Sequence, residues 1–186
     1  MTKLEYKQFE DYVFSLVHAI PYYIYEGIAS IFCLGLVVFI AWKGFKTGLR
    51  YSAALLLIEY VFLVFCSTVI FRPTSETRQY DFHPFWSYDR PELLVENIMN
   101  VFVFVPVGMI LGSLIKVKGS WLVALLIGCS IFITIEALQF WFMKGFSEVD
   151  DVMHNTVGCL MGWFMVKGSR LMMKNNLRYE QDEDRG

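Results

Sequence analysis

The chain has 186 residues, 56% of them hydrophobic and 18% charged, with a formal net charge of -2 and a mean hydropathy of +0.47. Soluble domains carry about a quarter charged residues, so this balance points to lipid as the solvent. It argues against a nucleic-acid binder, which needs a basic face that is not visible here, and the four cysteines (Cys33, Cys66, Cys129, Cys159) lie in apolar stretches without the spacing of a zinc site or a disulfide framework.

Residues 1–19 mix acids, bases and aromatics and lack the basic start and cleavable apolar run of a signal peptide. With Ile20 they predict an amphipathic segment, 1–20, at the membrane surface. A hydrocarbon core of about 30 Å needs about 20 apolar helical residues. The stretches 21–42, 51–71, 93–115 and 120–143 meet that length. A fifth, 152–166, is shorter: it crosses with Lys167 and Arg170 snorkelling to the interface, or it forms a re-entrant helix. The expected fold is all-α, a polytopic transmembrane helical bundle of about five spans. Its parts are the segment 1–20, two helices within 21–71, a three-helix core over 81–171 and a charged tail, 172–186. Lys and Arg gather in 43–50, 116–118 and 167–185 more than in the other connections. This bias predicts an outside N-terminus and a cytoplasmic C-terminus, with the loops 72–92 and 144–151 outside.

Ionisable side chains inside a span cost about 2.5–3.5 kcal/mol on insertion scales, so each one needs a reason. At 1.5 Å per residue, Glu26, Asn100 and Glu136 all lie about 10 Å from the outer ends of their helices. Glu96 and Asn97 accompany Asn100, Gln139 follows Glu136, and Asp150, Asp151 and Asn155 open the fifth stretch. Four helices thus bring polar groups to one level. The pairs Asn97/Asn100, Glu136/Gln139 and Asp151/Asn155 are spaced i, i+3 or i, i+4, so each projects from one helix face. For Asn97, Asn100, Gln139 and Asn155 a role as interhelical hydrogen-bond glue competes with a role in a pocket. Three carboxylates, Glu136, Asp150 and Asp151, near one level favour function. Glu59 stands apart, near mid-membrane.

Gly108 with Gly112, and Gly158 with Gly162, form small-xxx-small faces that predict two helices packed closely below and diverging above around an outward-opening cavity. Pro106 would kink the third span. A hard cation among Glu136, Glu148, Asp150, Asp151 and His154 is conceivable, but no compact metal motif is present and paired Asp residues are ordinary helix caps. No metal and no cofactor is expected. Neither a GxSxG elbow nor a phosphate cradle appears.

These same residues carry a family resemblance. Asn97, Asn100 and the run Phe104-Val105-Pro106-Val107-Gly108 resemble the Asn-rich, Phe-x-Pro-x-Gly helix of VanZ-like proteins. Glu136 and Gln139 are similar to that family's Glu-x-x-Gln. Glu148, Asp150 and Asp151, followed by Asn155 and Gly158, resemble its acidic-x-Asp-Asp and Asn-x-x-Gly signature, and Phe82-His83-Pro84-Phe85 resembles its Pro-Phe loop. The likeness covers roughly 81–162. Departures are Lys144, where the family often has Arg, and Asp81, where it often has Asn.

The resemblance implies a multi-pass protein of the bacterial plasma membrane, linked in the founding member to low-level teicoplanin resistance. Together with the polar cluster it leads to a non-enzymatic expectation. Asn97, Asn100, Glu136, Gln139, Asp150, Asp151 and Asn155 would form an outer-leaflet pocket for a membrane lipid, a lipid-linked cell-wall precursor or a lipoglycopeptide. The alternative is a membrane-embedded enzyme using the Glu/Asp cluster as general acid and base on a lipid-linked envelope substrate.

Overall fold

A computed structural model describes Lys7, Glu10, Phe14, His18 and residues 20–90, 93–115 and 120–183. Most of the expected segment 1–20, the linker 116–119 and the last three residues lie outside the described residues. The fold is essentially all-α. Its long helices are α1 (Tyr22–Lys43), α2 (Phe45–Phe65), α3 (Leu94–Leu114), α4 (Ser120–Phe142) and α5 (Val149–Glu183). Four stretches, Tyr22–Lys43, Phe45–Ile70, Leu94–Leu114 and Trp121–Phe142, are long and apolar enough to cross a membrane. The expected fifth crossing, 152–166, lies within α5, which runs unbroken through residue 171 to Glu183.

α1 and α2 form a hairpin whose turn is Gly44, at φ 74, a left-handed conformation that glycine adopts without strain. Gly48 then rests directly on the backbone of Ile40. No residue of α1 is buried, and Ile31, Leu34 and Val37 face outward, as expected of a peripheral helix in lipid. α2 ends in a π turn, Cys66–Ile70, closed by a hydrogen bond from the Phe71 N–H to the Cys66 carbonyl at 2.9 Å. Cys66 and Cys159 are buried, whereas Cys33 is exposed on α1.

The centre of the bundle is a contact between α3 and α5. A Cβ on Gly108 would collide with the Cys159 carbonyl, and one on Gly158 with the Val101 carbonyl. A Cβ on Gly162 would meet Val105 and Met109, and Gly112 rests on Trp163. Residue numbers rise together along this seam, so the two helices run parallel. Parallel neighbours need a return element, and α4 supplies it. Around the seam pack Phe104, Val107, Leu111, Phe132 and Trp163. Phe104 and Phe132 meet edge to face at 4.3 Å between ring centroids.

The two ends of the bundle differ. At one end the carbonyls left over at the C-terminus of α3 accept hydrogen bonds from three cations. Lys167 Nζ donates to Ile115 O at 2.6 Å, Arg170 Nη1 to Gly112 O at 3.1 Å and Arg50 Nη2 to Leu114 O at 3.1 Å. Positive charge at a helix C-terminus is also favoured by the helix dipole. At the other end the connections 71–93 and 143–148 lie side by side. Within them β1 (Gln79–Asp81) pairs in parallel with β2 (Phe146–Glu148), in the register Gln79↔Phe146, Tyr80↔Ser147 and Asp81↔Glu148. A 3-10 turn, Trp86–Asp89, completes this cap. These two short strands lie in connections whose residues predict loops, and their pairing is a finding of the structure.

The seam gives a direct test. Gly108→Val should destabilise the chain by about 1–3 kcal/mol, since a backbone carbonyl has nowhere to retreat. Gly168→Ala, where nothing lies within 4 Å of the added methyl, should instead stabilise by about 0.5–1 kcal/mol. Thermal unfolding in detergent, read by near-UV circular dichroism, separates the two outcomes.

Candidate functional site

The cap end of the bundle encloses a cavity of about 430 Å³. Each helix reaches it with a side chain placed by helical spacing. α1 contributes Tyr25, and α2 contributes Tyr60, Leu63, Val64, Ser67 and Thr68 before the chain leaves through Arg72. From α3 come Glu96, Asn100, Val103 and Phe104, from α4 Ile135, Glu136 and Gln139, and from α5 Asp151 and Asn155. The floor is apolar and the upper wall polar, the usual composition of a small-molecule site.

Five of the seven residues expected to form a pocket line this cavity: Asn100, Glu136, Gln139, Asp151 and Asn155. Asn97 and Asp150 do not. Asp150 is fully buried and holds the cap instead. Its Oδ1 accepts from the Phe85 N–H at 2.6 Å, and its Oδ2 accepts from the Ser87 N–H at 3.0 Å and the Ser87 hydroxyl at 2.6 Å. Asn97 Nδ2 donates to the same hydroxyl at 3.1 Å. Three donors on one carboxylate fix the turn in which Phe85, a non-glycine residue, sits at φ 68. Asp150 and Asp151 are therefore divided in labour, because adjacent helical residues point about 100° apart. Asp151 accepts from Asn100 Nδ2 at 2.6 Å across the mouth of the α3–α5 seam.

Glu136 joins cavity to cap: its Oε2 accepts from the Glu148 N–H at 3.0 Å, and the Ser147 hydroxyl donates to its carbonyl at 3.0 Å. Gln139 Nε2 donates to Thr68 O, in the π turn, at 3.2 Å. The Gln139 and Asn155 amide oxygens are buried without a hydrogen-bond partner among the described residues. Glu148 accepts from the Trp86 indole N–H at 3.0 Å. Burial first, and then the negative charges of Asp151 and Glu96, push its carboxyl up to about 8.

Other expectations resolve differently. Glu26 is exposed on α1 and does not line the cavity; Tyr25 takes the inward position. Lys144 faces a backbone carbonyl, donating from Nζ to Arg72 O at 3.0 Å. The cation lining the cavity is Arg72, whose guanidinium packs over Gly145, a position at φ 83 where a side chain would strike it. His154 is buried, with Nε2 3.0 Å from the Tyr88 hydroxyl. Among the described residues no three His, Cys, Asp or Glu side chains are grouped to hold a metal ion. Glu59 is buried near the middle of α2, its carboxylate oxygens without a hydrogen-bond partner among the described residues, and it does not line the cavity.

Arg72 and Tyr60 were missed in the sequence reading. Tyr60, Val64 and Ser67 recur at i, i+4 and i+7 on α2 and its π turn, a stripe that marks Tyr60, whereas Arg72 belongs to no such stripe.

A model of the VanZ/LLP1 family matches residues 53–172, which include every residue lining the cavity except Ile20 and Tyr25. No curated protein and no solved structure matches the chain.

The elevated Glu148 carboxyl has a consequence for pH. The folded chain holds a proton that a free glutamate releases near 4.3, so stability of the cap falls as pH rises from about 4.3 to about 8. Glu148→Gln, which retains an acceptor for Trp86, should flatten that slope. Hydrogen exchange of the β1 and β2 amides between pH 6 and 9, corrected for intrinsic rates, reads the difference.

Proposed function

The chain belongs to the VanZ/LLP1 family, and on that footing we propose that it is a multi-pass protein of the bacterial plasma membrane whose outward-facing cavity holds a lipid, contributing to tolerance of glycopeptides such as teicoplanin. The observation that carries this reading is the cavity itself. It places Glu96, Glu136 and Asp151 over an apolar floor, at the end of the bundle away from the basic cluster Arg50, Lys167 and Arg170. Basic residues favour the cytoplasmic side, which supports an outer-leaflet cavity, an outside N-terminus and a cytoplasmic C-terminus. An amphiphile entering from the outer leaflet would meet polar groups at head-group depth and apolar ones below. Sequestering such a molecule, whether an envelope lipid or the acyl tail of a lipoglycopeptide, would change how the antibiotic reaches cell-wall precursors. No covalent step is required.

The test uses a susceptible Gram-positive host expressing wild type or an Asp151→Asn/Glu136→Gln double variant at matched membrane levels. Wild type should raise the inhibitory concentration of teicoplanin about two- to fourfold, and the variant should lose most of that protection. That range corresponds to about 0.4–0.8 kcal/mol of effective affinity. Equal susceptibility in both strains would separate the cavity from any glycopeptide role.

A further inference from the structure

The cavity's hydrogen-bonding inventory is lopsided. Three carboxylates line it, Glu96, Glu136 and Asp151, and two amide oxygens add to the acceptors. Gln139 is 2% exposed and Asn155 is 7% exposed, and in both the side-chain oxygen lacks a donor among the described residues. Buried acceptors without donors are costly, and carboxylates at a low-dielectric site add to the demand. Arg72 lines the same cavity. Among the described residues its guanidinium makes no ion pair within 4 Å, since the only such pair joins His83 to Asp81. It nevertheless lies close enough to act electrostatically on both Glu136 and Asp151.

A guest that suits this wall carries several N–H donors and a positive charge, with an anion near enough to reach Arg72. A primary ammonium offers three donors and no acceptor. A phosphate is an anion whose geometry a guanidinium matches, through two parallel hydrogen bonds. Below the polar wall, Leu63, Val103, Phe104 and Ile135 offer an apolar surface for the start of an acyl chain. Resting on the lipid-binding reading above, we propose that the cavity selects an aminophospholipid head group, the ammonium among Glu96, Asp151, Gln139 and Asn155 and the phosphate at Arg72. A quaternary ammonium, with no N–H, leaves the amide oxygens unpaired. Tyr25 and Tyr60 would favour such a group only through their ring faces. A head group lacking a cation meets three carboxylates and is rejected.

Purified full-length chain in detergent, analysed by native mass spectrometry, is titrated with dioleoyl lipids that differ only in head group. Phosphatidylethanolamine should bind about tenfold more tightly than phosphatidylcholine or phosphatidylglycerol, the difference of one charge-assisted hydrogen bond. Glu96→Gln, a residue for which no side-chain hydrogen bond is described, and Arg72→Ala should each lower phosphatidylethanolamine binding by about the same factor. Both variants are compared only where thermal unfolding matches wild type. Phosphatidylcholine or phosphatidylglycerol binding as tightly as phosphatidylethanolamine overturns the ammonium assignment while leaving the cavity a lipid site. Binding of none of the three overturns both readings. Displacement of phosphatidylethanolamine by glycerophosphoethanolamine at a comparable concentration overturns the lipid source and assigns the same chemistry to a soluble head group.

Discussion

Two helix backbones touch where α3 crosses α5, and most of what the chain does with its polar residues follows from that contact. Because the glycines stand at the seam in register, the helices approach closely at Gly108, Gly112, Gly158 and Gly162. The Gly158–Val101 contact lies one residue below Asn100 and about two turns below Asp151, and above it these two side chains hydrogen-bond across the seam. Lipid offers no hydrophobic gain for helix association, and close backbone approach supplies the dispersion contacts that replace it. The cavity lies beside the cap end of this seam, where Asn100 of α3 and Asp151 and Asn155 of α5 line it together with residues of α2 and α4.

The polar groups at the two ends answer different needs. At the basic end, Arg50, Lys167 and Arg170 complete the last turn of α3, and their interfacial position keeps their charge in contact with water. At the cap end, Asp150 organises the turn from Phe85 to Ser87, which would otherwise present unpaired N–H groups at the membrane boundary. Neither role involves a ligand. Glu96, Glu136, Gln139, Asp151 and Asn155 are among the groups that face the cavity, Glu136 while also accepting the Glu148 N–H of the cap.

How much of this was legible in the chain depended on the range of the physics. Span length and glycine spacing act within one helix, so the four long apolar runs and the two glycine faces could be read directly from the residues. The spacing of Asp150 and Asp151 also held the information that only one of them faces the bundle interior, yet reading them as a single acidic cluster hid it. The parallel pairing of Gln79–Asp81 with Phe146–Glu148 could not be read, because strands of three residues carry no alternation and their partners lie far apart in sequence. Arg72 opens the loop 72–92 in sequence, and its place on the cavity wall goes with a contact to Gly145, far away along the chain. Glu26 differs for another reason: depth along a helix does not say which way a side chain points, and Glu26 is exposed while Tyr25 lines the cavity.

The placement of α5 bears on how the chain assembles as it is made. Glu96, Asn97 and Asn100 enter the membrane with α3, before Asp150, Asp151 and Asn155 have been synthesised. The donors Ser87 and Phe85 likewise wait for Asp150, and β1 waits for β2. During that interval Asn100 lacks its partner Asp151, and the polar partners of α3 already made are Ser87, Arg50 and Tyr60. The last helix to emerge therefore closes the seam, pins the cap and finishes the cavity in one docking event. A nascent chain halted before about residue 155 would carry every loop of the site and none of its shape.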